Sequence, residues 1–284
     1  MSTLSDQDIK RELGINIYIY PYNKGNLKGA NYNLTASEFA WSLKTRQRIY
    51  NSQEKKIIID PGDTALIETN ESIWVSKKIT GTYHSRVTQV SHGTGHIGTT
   101  LDPNYIGPSL IAVHNHSAVK IELIPEQTPF VTLVFQYLSS ESSKDQHGNK
   151  HGRTEILGEL GIILSTDEKN ALDKPYMSDR ELLFSKLEEC EDYKIIKGER
   201  EIKATQTKTD SENKNKKIFS KQLYVTFVGL LIILVVSSWH LQSNQKKLEQ
   251  QSWYQATTSS INTVITILSA SFVALLTVDL ERRI

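Results

Sequence analysis

Apolar positions follow two different patterns along the chain. Up to about residue 138 they recur as short runs: Ile15-Asn-Ile-Tyr-Ile-Tyr20, Lys56-Ile-Ile-Ile59, Ala65-Leu-Ile-Glu68, Ser72-Ile-Trp-Val75, Leu110-Ile-Ala-Val113, Val119-Lys-Ile-Glu-Leu123 and Phe130-Val-Thr-Leu-Val-Phe135. Turn-forming groups stand between them: Pro61-Gly-Asp63, Thr69-Asn-Glu71, Asp102-Pro-Asn104 and Pro125-Glu126. Many short strands at close spacing predict a mainly β sandwich or barrel rather than a parallel α/β sheet. Ahead of them, Ser5–Leu13 predicts a helix. Ser5 or Asp6 would accept from its orphan N–H groups and Gly14 would end it.

Past residue 138 the pattern changes. Residues 139–152 are polar and read as a loop; 154–164 carry a short apolar pattern with two glycines. Ser178 to about Lys197 predicts a helix capped by Ser178, with Leu182, Leu183 and Leu187 on one face. Thr205–Lys217 is almost devoid of apolar residues and predicts a flexible linker, because no burial would offset its ordering entropy. Leu223–Trp239 is then 17 residues without a charge. As a helix it would rise roughly 26 Å, near the bilayer's hydrocarbon thickness. Ser260–Val278 is also uncharged, with small and hydroxyl residues that permit close helix packing in lipid. The reading is a β domain at 1–140, a helical or irregular extension at 141–204, a basic polar linker at 205–221 and a two-span transmembrane hairpin at 222–284, with spans at about 222–240 and 259–279.

Composition sharpens this picture. Lys and Arg total 33 against 32 Asp and Glu, and this near-balance argues against direct nucleic-acid binding. The single cysteine, Cys190, excludes an internal disulfide and a Cys-based zinc cluster, and its acidic neighbours disfavour a thiolate. A mean hydropathy of −0.38 reads as a soluble protein, but it averages a polar front and an apolar tail. Met1–Gly14 lacks the apolar core of a signal peptide. Lys214, Lys216, Lys217 and Lys221 precede the first expected span and Arg282 and Arg283 follow the second, while the loop between holds Lys246 and Lys247. The positive-inside rule then puts both termini in the cytoplasm.

Three blocks of the β region carry a resemblance when taken in order. They are Leu27-Lys-Gly-Ala-Asn-Tyr-Asn-Leu34, then Ile59-Asp-Pro-Gly-Asp-Thr-Ala-Leu66 with Asn70-Glu-Ser-Ile-Trp-Val75, then Tyr83-His-Ser-Arg86 with Gly98-Thr-Thr-Leu-Asp-Pro-Asn-Tyr-Ile-Gly107 and Asn115. The order resembles the dCTP deaminase/dUTPase family, whose blocks read roughly G-A-S-x-D-[LV], P-G-E-x-x-L with T-x-E-x-[VI], and G-R-S-S-L-A-R, [IV]-D-P-x-[WY]-x-G, E-x-x-N. Leu4-Ser-Asp-Gln-Asp-Ile9 is similar to the deaminase start. About residues 4–138 are covered.

The resemblance implies a distorted jelly-roll-like barrel and a homotrimer, or a multiple of one, with nucleotide sites between subunits. It also implies that the R-S-S place holds a triphosphate, that the Asp of D-P-x-[WY] holds the sugar 3′-hydroxyl, and that a Glu ten residues beyond is the acid/base. Here His84, Ser85 and Arg86 stand in the R-S-S place, Gln89 replaces a later arginine, and Asp102 and Tyr105 are kept, with Thr100 just before them. These seven form the expected ligand-binding set. The acid/base falls on Ala112, which moves no proton, so no catalytic residue is expected. Asn33 replaces the family's first acidic residue, and Thr132 stands where a dUTPase has Gln. Asp102 also reads as an ordinary turn residue.

The pairs His92/His96 and His114/His116 have no third ligand nearby in sequence, so no metal or cofactor is expected. Ser91–Gly98 reads as a turn or as a backbone nest for phosphate. The functional expectation is a membrane-anchored effector. In it a non-catalytic domain binds a nucleotide or cyclic nucleotide and controls spans that oligomerise or permeabilise a bacterial inner membrane, similar to antiphage effectors. The alternatives are a working membrane-bound dCTP deaminase or dUTPase using Glu122 or Glu126, and a passive scaffold.

Overall fold

The computed structural model describes residues 2–95, 98–143, 154–243, 256–257, 259–268 and 270–271. It divides into two units, Met1–Glu201 and Ile202–Ile284. In the first unit the elements are β1 (Ser2–Thr3), α1 (Asp6–Glu12), β2 (Ile17–Tyr20), β3 (Leu27–Lys28), β4 (Asn31–Ser42), β5 (Tyr50–Asn51), β6 (Lys56–Ile59), β7 (Thr64–Val75), β8 (Ile79–Ser85), α2 (Val87–Ser91), β9 (Thr94–Gly95), β10 (Thr100–Leu101), β11 (Ile106–Asn115), β12 (Ile121–Leu123) and β13 (Pro129–Tyr137). Helices α3 (Thr154–Glu159), α4 (Thr166–Leu172) and α5 (Arg180–Glu189) follow, with a 3₁₀ turn at Pro175–Met177. Helix α6 runs over Glu191–Ser243.

The strands form a curled antiparallel sheet in the order β10-β8-β13-β4-β7-β11-β9, beside a small sheet β12-β6-β5. β4 makes the curl. Its first part pairs with β13 at Asn33–Thr35, and from Ala36 to Ser42 it pairs with β7 across a register irregularity. One strand thereby belongs to both halves of the sheet. Alternating positions such as Val131, Leu133 and Phe135 on β13 enclose the core with Ile67, Ile73 and Ile111.

β7 differs from the expected pattern. Thr69-Asn-Glu71 is not a turn; the strand runs unbroken from Thr64 to Val75, with a bulge against β11 between Pro108 and Leu110. Its run of consecutive buried residues has a physical cause, since both faces are covered. Ala65 and Ile67 join the main core, whereas Leu66 joins a second cluster with Phe39, Trp41, Leu157, Ile162 and Leu172. The extension therefore packs on the β domain. Each such buried Leu or Ile contributes roughly 1.5–3 kcal/mol.

α1 is the predicted helix, with Ser5 and Asp8 forming a capping box and Gly14 following at φ +79°. The helix expected over 178–197 is two helices. Asp179, not Ser178, caps α5, and Cys190 in extended conformation ends it. Leu183 and Leu187 are buried, while Leu182 is half-exposed. Tyr193 and Ile196 of α6 join the main core, and Arg200 donates to the carbonyls of Arg11 and Leu13 at 2.9 and 2.8 Å, satisfying the end of α1.

The 205–221 linker is helical, not flexible: it lies inside α6. No Gly or Pro interrupts 199–228, and Thr207 and Thr209 return their hydroxyls to the carbonyls of Lys203 and Thr205. In the second unit, residues 259–268 are also helical. Among the described residues no helix is long and apolar enough to cross a membrane, so the expected transmembrane hairpin is not found. The 17-residue apolar run is short of the usual ~20 and continues a polar helix. The side chains of Leu223, Leu231 and Leu234, residues 269 and 272–279 of the second expected span, and Lys246, Lys247, Arg282 and Arg283 lie outside the described residues.

Candidate functional site

The seven residues expected to meet a ligand do not converge within one chain. His84 and Ser85 end β8, and Arg86 stands at the N-cap of α2, where its guanidinium donates to the carbonyl of Pro129 at 2.6 Å. Gln89 is one turn further on in α2. Thr100 pairs with Thr82 and Leu101 with Gly81, so the antiparallel β10 carries Asp102 away from this end. Asp102 comes level with residue 80. At ~3.3 Å per residue, the six residues from there to Arg86 span about 20 Å. One end therefore offers a cation and a hydroxyl, and the other a carboxylate and a tyrosine.

The Asp102 end is a built turn. Tyr105 N–H donates to the Asp102 carbonyl at 3.2 Å, Pro103 occupies the second position, and Asn104 takes φ +63° in the third. Tyr105 Oη bonds the Pro108 carbonyl, and Gly107 has φ +124°, a conformation that favours glycine. The Asp102 carboxylate stays exposed and accepts from Thr100 Oγ1 at 3.3 Å. Turn residue and ligand-facing carboxylate are compatible roles here.

At the other end, three positions that depart from the family pattern lie side by side. Asn33, Thr132 and His84 face one another across β4, β13 and β8. Thr132 Oγ1 donates to Asn33 Oδ1 at 2.8 Å, and His84 Nε2 lies 2.8 Å from Thr82 Oγ1. Sequence reading named each separately; the register makes them one row, and this row carries no carboxylate. The pocket bordered by Ser85 and Gln89, with Thr94, Ile111 and Phe130, measures about 10 Å³. That admits about one water, so a nucleotide would lie outside it.

Other matching residues hold the fold. Asp63 accepts from Ser42 Oγ at 2.5 Å and from Thr64 N–H at 2.7 Å. Glu71 accepts from Thr35 N–H and Thr35 Oγ1, both at 2.9 Å, and burial raises its pKa to about 8. Asn115 donates to the carbonyls of Ile59 and Val119 at 2.9 and 2.8 Å. Tyr83 Oη meets Ser109 Oγ at 2.5 Å, and burial pushes the phenol up.

Ala112 is opposite Leu66 on β11 and packs with Leu110 against the cluster built from Phe39, Trp41 and the extension's Leu157, Ile162 and Leu172. Its surroundings are apolar. Glu122 pairs with Lys56 at 2.5 Å on the small sheet, and Glu126 occupies a turn at φ +62°, so neither reaches Ala112. Glu68 is the carboxylate nearest to it in register, and sequence reading did not single it out. The rings of His114 and His116 are 5.7 Å apart, and His114 Nδ1 lies 2.8 Å from Thr64 Oγ1. Among the described residues no group of three His, Cys, Asp or Glu can hold a metal; His96 lies outside them. Ser91–Gly98 is partly the end of α2 and β9, with Gly93 at φ +84°. Cys190 is half-buried, and burial raises its thiol pKa.

A family model described as dCTP deaminase-like matches residues 3–137. Residues 3–137 are thus similar to dCTP deaminases. The dCTP deaminase of Thermococcus sibiricus is 28% identical over 149 residues, which cover 52% of this chain and 91% of that protein. The dCTP deaminase of Pyrococcus abyssi is 27% identical over 154 residues, 54% of this chain and 96% of that protein. Among solved structures, the 2′-deoxycytidine 5′-triphosphate deaminase of Agrobacterium tumefaciens superposes with a TM-score of 0.40 at 10% identity, over 48% of this chain and 49% of that one. The native EIAV dUTPase gives 0.33 at 20% identity, over 47% and 98%. The family model ends at residue 137, ahead of α3–α6. That region supplies the apolar cover over Ala112 in the deaminase-like domain.

Proposed function

We propose that this chain is a nucleotide-responsive membrane protein whose deaminase-like domain binds its ligand without turning it over. The observation that carries this reading is Ala112, an inert, partly buried side chain packed against apolar residues where the resemblance calls for an acid/base. Arg86 and Ser85 would meet the phosphates, with His84 and Gln89 beside them, and Asp102, Thr100 and Tyr105 would meet the sugar. Because Arg86 and Asp102 stand about 20 Å apart along β8 in one chain, one nucleotide would take them from two copies, which makes the working form a homo-oligomer. A trimer or a multiple of one fits that requirement.

The membrane part of the proposal rests on α6. Val225, Ile232, Ile233, Val235, Val236 and Trp239 are half or more exposed along a run without a charge. Such a surface calls for lipid or further copies of the helix. With lysines on its N-terminal side, the β domain would face the cytoplasm of a bacterial inner membrane. Ligand binding would act on the membrane segment only by favouring one assembly over another. This arrangement fits an effector of antiviral defence that permeabilises the membrane.

Equilibrium binding of dCTP, dUTP and cyclic dinucleotides to the full chain tests the ligand claim. Arg86→Ala is expected to weaken binding of the preferred nucleotide at least ~10-fold. Equal affinity in the variant would refute the assigned phosphate end. A catalytic reading is favoured by one fact, the likeness to proteins named dCTP deaminase; release of dUTP from dCTP by the full chain would establish it.

A further inference from the structure

The outer face of β7 and β11 is closed by the chain's own extension. Leu157, Ile162 and Leu172 are buried there against Phe39, Trp41 and Leu66. Glu68 stands beside this apolar patch. Leu66 is paired with Ala112 and Glu68 with Leu110, without a bulge between, so both side chains leave the sheet on the face the extension covers. Glu68 is 1% exposed, and its Oε2 has no hydrogen-bond partner. The charged and titratable groups acting on it from the covering segment are Lys174 and Tyr176, at the 3₁₀ turn after α4. From β11 it meets the apolar Leu110, and Glu71 further along β7 is engaged with Thr35.

We propose that residues 154–177 form a latch over the β7–β11 face, and that the latch holds only while Glu68 is uncharged. A neutral carboxyl is tolerated under the extension, but a carboxylate there has neither water nor a donor for Oε2. Lifting the latch returns the group to water, where it ionises by giving its proton to solvent. Burial raises the pKa of Glu68 to about 8, against the opposing pull of Lys174 and from an ordinary value of 4.5. The sign follows: closure is strongest below about 4.5, weakens as pH rises to about 8, and changes little above. This goes beyond ligand binding, because it concerns access to the face that carries Ala112.

Hydrogen exchange of the full chain in lipid discs at pH 6 and pH 9, corrected for chemical exchange rates, reads the latch directly. Amides of 154–177 should lose ~10–100-fold more protection than those of β13 at pH 9, and Glu68→Gln should abolish that excess. An equal loss in both segments, or the same excess in the Gln variant, overturns the proposal. Should Glu68→Gln fail to fold, Lys174→Ala serves instead. It removes the opposing charge, so Glu68 under the closed latch ionises at still higher pH and the excess loss of protection between pH 6 and pH 9 should grow; an unchanged excess overturns the proposal equally. Nucleotide affinity is measured separately, so failure of the latch and failure of the ligand reading are distinguishable.

Discussion

Glu71 and Ala112 mark two kinds of inheritance at the scale of single residues. Glu71 serves the fold: its carboxyl holds both the backbone and the hydroxyl of Thr35 inside the protein. Glu71→Ala would leave those donors buried and unpaired, at a cost of about 2–4 kcal/mol read from denaturant unfolding. Its raised pKa sets a direction too. The folded state binds the proton up to about pH 8, so stability is complete below about 4.5 and falls as pH rises through 8. Denaturation midpoints at pH 6 and pH 9 check this. At Ala112, restoring a carboxylate would not restore chemistry. Ala112→Glu places a charge against Leu157, Ile162 and Leu172, and is expected to cost ~3 kcal/mol or more while giving no deamination. The sequence made the alanine legible, because spacing from Asp102 locates it. It could not show what covers Ala112, nor that Glu68 shares that face, since both depend on register across distant segments.

At the scale of elements, the short strands β2, β6, β11, β12 and β13 were legible because each buries a simple pattern. β4 escaped notice, since Asn31–Ser42 mixes polar and small residues while changing partners midway. The Thr69-Asn-Glu71 cluster resembles a turn only when read locally; in space Thr69 Oγ1 donates to the Glu71 carbonyl and accepts from Ser109 N–H within a bulged strand. The start of α6 depends on Gly14. A Cβ at that position would stand 2.0 Å from Tyr193 Oη, and φ is +79°. Gly14→Ala is therefore expected to destabilise by about 1–3 kcal/mol and to release Tyr193. Tyrosine fluorescence cannot isolate this ring, but exchange of the amides of 191–201 can. Unchanged protection there would show that the contact is dispensable.

For the whole molecule, the division between a polar front and an apolar tail survives, with a helix in place of the flexible tether and no membrane-spanning helix found among the described residues. Helix α6 runs through the polar segment into the apolar one, and its exposed Val225, Ile232, Ile233 and Trp239 still need cover. Replacing Ile232 and Ile233 with Lys should move the chain from the membrane to the soluble fraction, as checked by flotation on a lipid gradient. The two-ended site points to assembly. Arg86→Ala and Asp102→Ala chains, each defective alone, should recover part of the binding when mixed, because one intact end comes from each copy. Calorimetry of the mixture against the separate variants reads this directly.

The central claim is a deaminase-like domain that binds a nucleotide without acting on it. Incubating the full chain with dCTP, while recording both bound ligand and released dUTP, tests that claim most directly. The account predicts saturable binding weakened by Arg86→Ala and no dUTP; steady release of dUTP, lost in Asp102→Ala, would contradict it.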